Sequence, residues 1–162
     1  MLTGLLNKTT AQELCDMALH TTFKKSGKVA LMVIDADHFK NINDTYGHAV
    51  GDAVLKTIAQ VIKNSFKGMD ICGRCGGDEF VVLLREVDNA ETALLLGEYL
   101  NNKLKEKIKH ETYRDEVTLS IGIAISPENG KNFKELFEAA DKALYYVKQH
   151  GRNGQRIYTD DL

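Results

Sequence analysis

Residues 74–80 read Arg74-Cys75-Gly76-Gly77-Asp78-Glu79-Phe80 and run directly into Val81-Val82-Leu83-Leu84. Two adjacent glycines predict a tight two-residue hairpin turn, because both central positions take φ > 0 without a Cβ clash. Asp70 to Arg74 then reads as the strand entering the turn, and Glu79 to Arg85 as the buried strand leaving it. Two acids stand at the mouth of that buried strand. Carboxylates in such a place point to a metal or to proton transfer. The heptapeptide therefore marks a fold element and a candidate site together.

A second apolar run, Val29-Ala30-Leu31-Met32-Val33-Ile34, is too short for a full helix and carries β-branched residues. It reads as a central strand buried on both faces, ending in Asp35-Ala36-Asp37. His38 to Thr45 reads as a short helix closed by Gly47. Val50 to Phe66 reads as a longer one, with Val54, Leu55, Ile58, Ala59, Ile62 and Phe66 on one face. Upstream, Thr10 to about Lys25 has a helical apolar side and stops at Gly27. Downstream, Asp88 with Glu91 resembles a capping box that opens a helix to about Lys109. Val117, Leu119, Ile121, Ile123 and Ile125 alternate with small or polar residues, which makes the clearest strand, and Pro127 stops it. Phe133 to Val147 carries the stripe of a final helix ending near Gly151, and Arg156-Ile157-Tyr158 reads as a short last strand. Alternating strands and helices around one hairpin predict a single layered α/β (α+β) domain, a mixed sheet covered by helices.

The bulk numbers narrow the partners. The chain has 162 residues, 43% hydrophobic and 27% charged, as expected of one globular domain. A net charge of −2 gives no reason to expect a nucleic-acid polymer or an anionic membrane surface. No stretch has the length of a membrane span and no signal-peptide pattern is present, so a cytoplasmic location is expected. Cys15, Cys72 and Cys75 make no disulfide framework. Cys72-Gly73-Arg74-Cys75 has the spacing of a redox pair or half a zinc site, but no second pair completes it. These cysteines read better as small buried hydrophobes.

The acids carry the chemistry. Asp35 ends the buried strand, Asp37 follows, and Asp78 and Glu79 stand at the hairpin. Each alone has an ordinary reading: Asp35 as a strand-end turn residue, Asp78 and Glu79 as a solvated hairpin tip. Asp37 reads as the N-cap of the helix starting at His38. If the two strands are neighbours, however, several carboxylates meet. Hard oxygen ligands suit Mg²⁺, which usually takes one or two carboxylates plus substrate phosphate oxygens. The chemistry expected is phosphoryl or nucleotidyl transfer. The first turn of the His38 helix favours phosphate, and Lys40 adds positive charge there, although a solvated helix face is its plain alternative. Lys148 and Arg152, four residues apart, fit favourable charges at a helix C-terminus equally well.

Four ordered blocks resemble the GGDEF family of diguanylate cyclases over nearly the whole chain. They are Leu2-Thr3-Gly4-Leu5 with Asn7; Asp35 to Lys40 with Ile42 to His48 and Gly51-Asp52; Arg74 with Gly76 to Phe80; and Ser120-Ile121-Gly122 with Ala140 to Tyr145, Lys148 and Gly151-Arg152-Asn153. The resemblance implies a central, mostly antiparallel sheet like that of the nucleotide-cyclase and polymerase palm. It implies that Asp35, the Ala36 carbonyl and Asp78 bind Mg²⁺, with Mn²⁺ as an alternative, and that Asp78, Glu79 and Lys40 are catalytic. Asn43 and Asp52, with His48 nearby, match the guanine-reading segment. Phe39 and Lys40 match the phosphate turn, and Lys148 and Arg152 distal phosphate contacts.

The activity implied is condensation of two GTP into cyclic di-GMP with release of pyrophosphate, in a transient homodimer. The alternative is a catalytically weak module that binds GTP or cyclic di-GMP for regulation. Lys67-Gly68-Met69-Asp70 stands where the family often carries an Arg-x-x-Asp product-inhibition site. Lys67 lacks the planar guanidinium fork, so Lys67 and Asp70 read as a degenerate form of it. The first block lacks its usual leading aspartate. The expectation is therefore a GGDEF domain over residues 1–162 taken from a longer protein with an N-terminal sensory or dimerising region, a parent that could itself be membrane-anchored.

Overall fold

In the computed structural model, which describes residues 2–23, 28–66 and 70–162, the elements follow as β1 (Leu6–Asn7), α1 (Lys8–Phe23), β2 (Lys28–Ala36), α2 (Phe39–Tyr46), α3 (His48–Ser65), β3 (Ile71–Gly76), β4 (Glu79–Val87), α4 (Ala90–Lys107), β5 (Leu119–Ser126), α5 (Phe133–Gln149) and β6 (Gly154–Ile157). The strands form one sheet in the order β1-β3-β4-β2-β5-β6. The pairs β3–β4, β4–β2 and β2–β5 are antiparallel, and the two edge pairs, β1–β3 and β5–β6, are parallel. The sheet is therefore mixed and mostly antiparallel. Among the described residues, no helix is long and apolar enough to cross a membrane.

β2 lies inside the sheet with helices on both sides, which is why its apolar run does not alternate. Ala30, Met32 and Ile34 pack with Ile42 of α2 and the apolar faces of α3 and α4. Val29, Leu31 and Val33 pack on the opposite face against Leu19 of α1 and Leu136 and Leu144 of α5. At about 1.5–3 kcal/mol for each large aliphatic side chain buried, these two layers hold most of the hydrophobic driving force.

β5 is buried along its whole length. Leu119, Ile121, Ile123 and Ile125 join the layer under α3 and α4. Their small neighbours face α5, which comes in unusually close at Gly122. A Cβ there would collide with the Ala140 carbonyl oxygen and the Leu144 nitrogen, and would lie 2.9 Å from Leu144 Cβ. The alternation read from sequence is thus a large-residue face and a small-residue face, both covered.

Several element ends differ from the sequence reading. α1 starts at Lys8 rather than Thr10, because the Asn7 side chain accepts from Thr10 N at 2.9 Å. α3 starts at His48, directly after Gly47 at φ 91. α4 is capped by Asn89, whose Oδ1 accepts from Thr92 N at 3.0 Å, and not by Asp88 with Glu91. The hairpin turn is shifted by one residue. Gly76 still pairs with Glu79, across an irregularity at Cys75, so Gly77 and Asp78 form the turn. β6 begins at Gly154, ahead of the expected Arg156. The predicted stop of α1 at Gly27 lies outside the described residues.

The close α5–β5 contact gives a direct test. Gly122→Ala is expected to lower stability by about 1–3 kcal/mol, because backbone must move to admit one methyl group. Urea unfolding of both proteins measures it. An unchanged midpoint and slope would show that α5 does not sit this close.

Candidate active site

The antiparallel register between β2 and β4 sets Asp35 opposite Glu79, and the Ala36 N–H donates to the Asp78 carbonyl at 3.1 Å. Two strand ends that are remote in sequence therefore deliver their acids to one place. Asp35 is mostly buried, and Asp78 and Glu79 are half-buried. Arg74 fixes the turn that carries Asp78: its Nε and Nη2 donate to the Gly77 carbonyl at 2.9 and 2.7 Å. The positive φ of Gly77, 52°, suits glycine at this position.

The electrostatics reflect the crowding. Burial first, and then a hydrogen bond and repulsion from Asp35, push the Asp78 carboxyl up to about 6. Glu79 is also raised, by burial and by the charges of Asp141 and Asp35. The Lys148 ammonium, in the last turn of α5, makes an ion pair with Asp35 Oδ2. A cation already leans on the carboxylates, and two hard oxygen donors with the Ala36 carbonyl beside them suit a divalent ion. Among the described residues, no three His, Cys, Asp or Glu side chains converge as a preformed cage. The set fits an ion that shares its shell with substrate oxygens.

The other predicted residues divide by element. Phe39 and Lys40 open α2, Phe39 half-buried against the core and Lys40 exposed. Asn43 lies on α2, while His48 and Asp52 lie exposed on the first turns of α3. Gly51 lets the two helices close up: a Cβ there would collide with Asn43 Oδ1 and lie 3.3 Å from Phe39 Cζ. The Asn43 amide is thus held beside the backbone that carries Asp52. A groove of about 400 Å³ opens between the first block and the hairpin, lined by Leu2, Leu5, Arg74, Gly76 and Gly77 among others.

Arg152 lies beyond α5, in a turn at φ 61, so it is not a charge on the helix end. Asp70 is half-buried and its Oδ1 accepts from the Arg85 N–H at 3.3 Å, which turns the carboxylate inward onto β4. Lys67 lies outside the described residues. The three cysteines are free, and burial pushes Cys15 up to about 12 and Cys72 and Cys75 to about 11, as expected of inert thiols.

Asp37 departs from its sequence reading. The cap position of α2 is His38, in left-handed conformation, with no side-chain cap bond. Asp37 is instead 2% exposed and accepts from Thr118, Ser120 and Asn153. The hydroxyls of Thr118 and Ser120, at the entry to a largely apolar strand, were the signal for it. Arg74 and Gly51 act only through contacts that the fold creates.

Known proteins resemble this chain in sequence and in fold. The family model described as "Diguanylate cyclase, GGDEF domain" matches residues 1–154. The chain belongs to the GGDEF domain family. Diguanylate cyclase A of Treponema denticola is 40% identical over 145 residues, covering 89% of this chain and 39% of that protein, so the chain spans well under half of this relative. The GGDEF domain of YfiN (TpbB) from Pseudomonas aeruginosa superposes with a TM-score of 0.88 at 32% identity, covering 96% of this chain and 98% of that one. The GGDEF domain of DgcB from Caulobacter crescentus, solved in complex with c-di-GMP, has a TM-score of 0.85 at 30% identity, covering 97% and 93%.

The raised Asp78 carboxyl predicts a pH signature for the metal-free protein. Its folded pKa, about 6, lies above the ordinary value of about 4, so the folded chain retains the extra proton between the two. The Asp78 contribution to stability is full below about pH 4 and is lost as pH rises through about 6. The melting-temperature difference between wild type and Asp78→Asn isolates it. Wild type should lose ground to the variant across that window, and a pH-independent difference would contradict the assignment.

Proposed function

We propose that this chain is a diguanylate cyclase domain that joins two GTP molecules into cyclic di-GMP and releases two pyrophosphates. The observation that carries the reading is the meeting of Asp35 and Asp78 at neighbouring strand ends, sharing a hydrogen bond beside the Lys148 ammonium. Asp35, Asp78 and the Ala36 carbonyl would hold Mg²⁺, or Mn²⁺ in its place. The bound ion would neutralise phosphate charge as phosphorus–oxygen bonds change.

The chain's own groups do the rest. Asp78 takes the proton of the attacking 3′-hydroxyl. Glu79, half-buried next to it, keeps that end of the sheet anionic. Lys40 meets the charge that develops on the phosphate, and the first turn of α2 at Phe39 receives phosphate oxygens. Lys148 and Arg152 bind the distal phosphates. The Asn43 amide and the Asp52 carboxylate read guanine, because a carboxylate accepts from both its N1–H and its amino group; His48 borders that pocket. Each 3′-oxygen bonds to the other nucleotide's α-phosphorus while the bond from that phosphorus to the pyrophosphate oxygen breaks. Each domain supplies one nucleotide, so two domains must face each other, and positioning is a large part of the rate.

Incubation with GTP and Mg²⁺, followed by chromatography, tests the reading. Cyclic di-GMP should form, with a rate per chain that rises with protein concentration. Asp78→Asn, still folded, should lose on the order of a hundredfold or more of turnover. No product from wild type, with GTP still bound, would favour the regulatory binding module instead. Base selectivity has its own test. Gly51→Ala displaces the Asn43 amide and should weaken GTP binding by about 1–3 kcal/mol while leaving ATP unchanged in calorimetry. Equal losses for both nucleotides would move the guanine contact elsewhere.

A further inference from the structure

Asp37 is the most deeply buried carboxylate near the site, and no step of the proposed reaction uses it. Its Oδ1 accepts from Ser120 Oγ at 2.6 Å. Its Oδ2 accepts from Thr118 Oγ1 at 2.6 Å and from the Asn153 backbone N–H at 3.1 Å. Its own N–H donates to the Thr118 carbonyl at 2.9 Å. One side chain therefore joins the end of β2, the start of β5 and the turn after α5.

That turn is costly to hold. Gly151, Arg152 and Asn153 have φ of 101, 61 and 47, three consecutive residues on the left-handed side. Asn153 adopts this conformation readily, but for Arg152 it is strained and persists only when surrounding contacts impose it. The imposed contacts are the Arg152 N–H donating to the Val147 carbonyl at 3.0 Å on one side and Asp37 on the other. The turn fixes the backbone of Arg152, which lines a cleft with His38, Thr118 and the acids Asp115 and Glu116, where it is the basic group set against them. Asp37 itself follows Asp35 and Ala36 by one or two residues along the same backbone.

We propose that Asp37 is a positioning residue that presents Arg152 to the distal phosphates of the nucleotide and ties that presentation to the strand end carrying Asp35. It touches no substrate and acts through the Asn153 N–H. This rests on the proposed role of Arg152 as a phosphate contact. Removal of Asp37 should therefore weaken binding of a nucleoside triphosphate much more than binding of the monophosphate, which has no distal phosphates for Arg152 to meet.

The experiment is calorimetric titration with 3′-deoxy-GTP, which cannot condense, and with GMP, in the presence of Mg²⁺. Wild type, Asp37→Ala, Arg152→Gln and the double variant are compared. Asp37→Ala should lose about tenfold for 3′-deoxy-GTP, which is about 1.4 kcal/mol, and less than twofold for GMP. The double variant should bind no more weakly than Arg152→Gln alone. Asp37→Asn should restore most of the loss, because its amide oxygen still accepts from Asn153 while its NH₂ donates to Ser120. If Asp37→Ala does not fold, Thr118→Val, which removes one donor to Oδ2 and little volume, should show the same triphosphate-only loss at smaller size. Equal losses for both nucleotides, or additive losses in the double variant, would overturn the proposal. Wild type that binds neither nucleotide would instead overturn the proposed function.

Discussion

The ladder between β2 and β4 is the contact on which the site depends. It sets Asp35 against Glu79 and brings the Ala36 N–H to the Asp78 carbonyl. Its apolar length, Ala30 to Ile34 against Phe80 to Leu84, is buried on both faces, so a slip by one residue would exchange the two packed layers. Such a register is strongly specified. The acids at its end are therefore delivered by hydrophobic packing and against their mutual repulsion.

Concentrating that charge has a structural cost, and the fold offsets it with basic and hydroxyl groups from other elements. Lys148 reaches Asp35 from α5, and Arg74 secures the Gly77–Asp78 turn from β3. Thr118, just before β5, and Ser120, on it, satisfy Asp37. A buried carboxylate with this many donors is held in one orientation, whereas Asp78, with Asp35 as its neighbour, holds its proton to higher pH. Asp37 and Asp78, at the ends of neighbouring strands, thus behave differently because their surroundings differ.

Two glycines do comparable work by absence. Without Cβ at Gly122, α5 lies against β5 and carries Lys148 to the acids; without Cβ at Gly51, the Asn43 amide packs onto α3 beside Asp52. In each case a helix carrying a proposed ligand-binding group comes close enough only because a methyl group is missing on the element below.

Local pattern alone determined a good deal. Apolar runs and alternation placed β2, β4 and β5, the helical stripes placed α3 and α5, and the acids at 35, 78 and 79 stood out as a metal-type set. These features were legible because periodicity and charge are properties of neighbouring residues. The errors fell where the outcome depends on distant ones. Asp37 followed by a helix looks like a cap, yet the donors that claim it come from residues 118, 120 and 153, remote in sequence. The turn slid to Gly77 and Asp78 because strand pairing across β3 and β4, and not glycine preference, sets the register. Arg152 lies past the helix end in a left-handed turn held by the Val147 carbonyl of α5 and, from far along the chain, by Asp37. Sequence determined which segments could be strands and helices and which carboxylates were candidates. Only the tertiary structure decided which of them meet and which are satisfied, because hydrogen-bond partners and desolvation belong to the packed sheet and not to the chain.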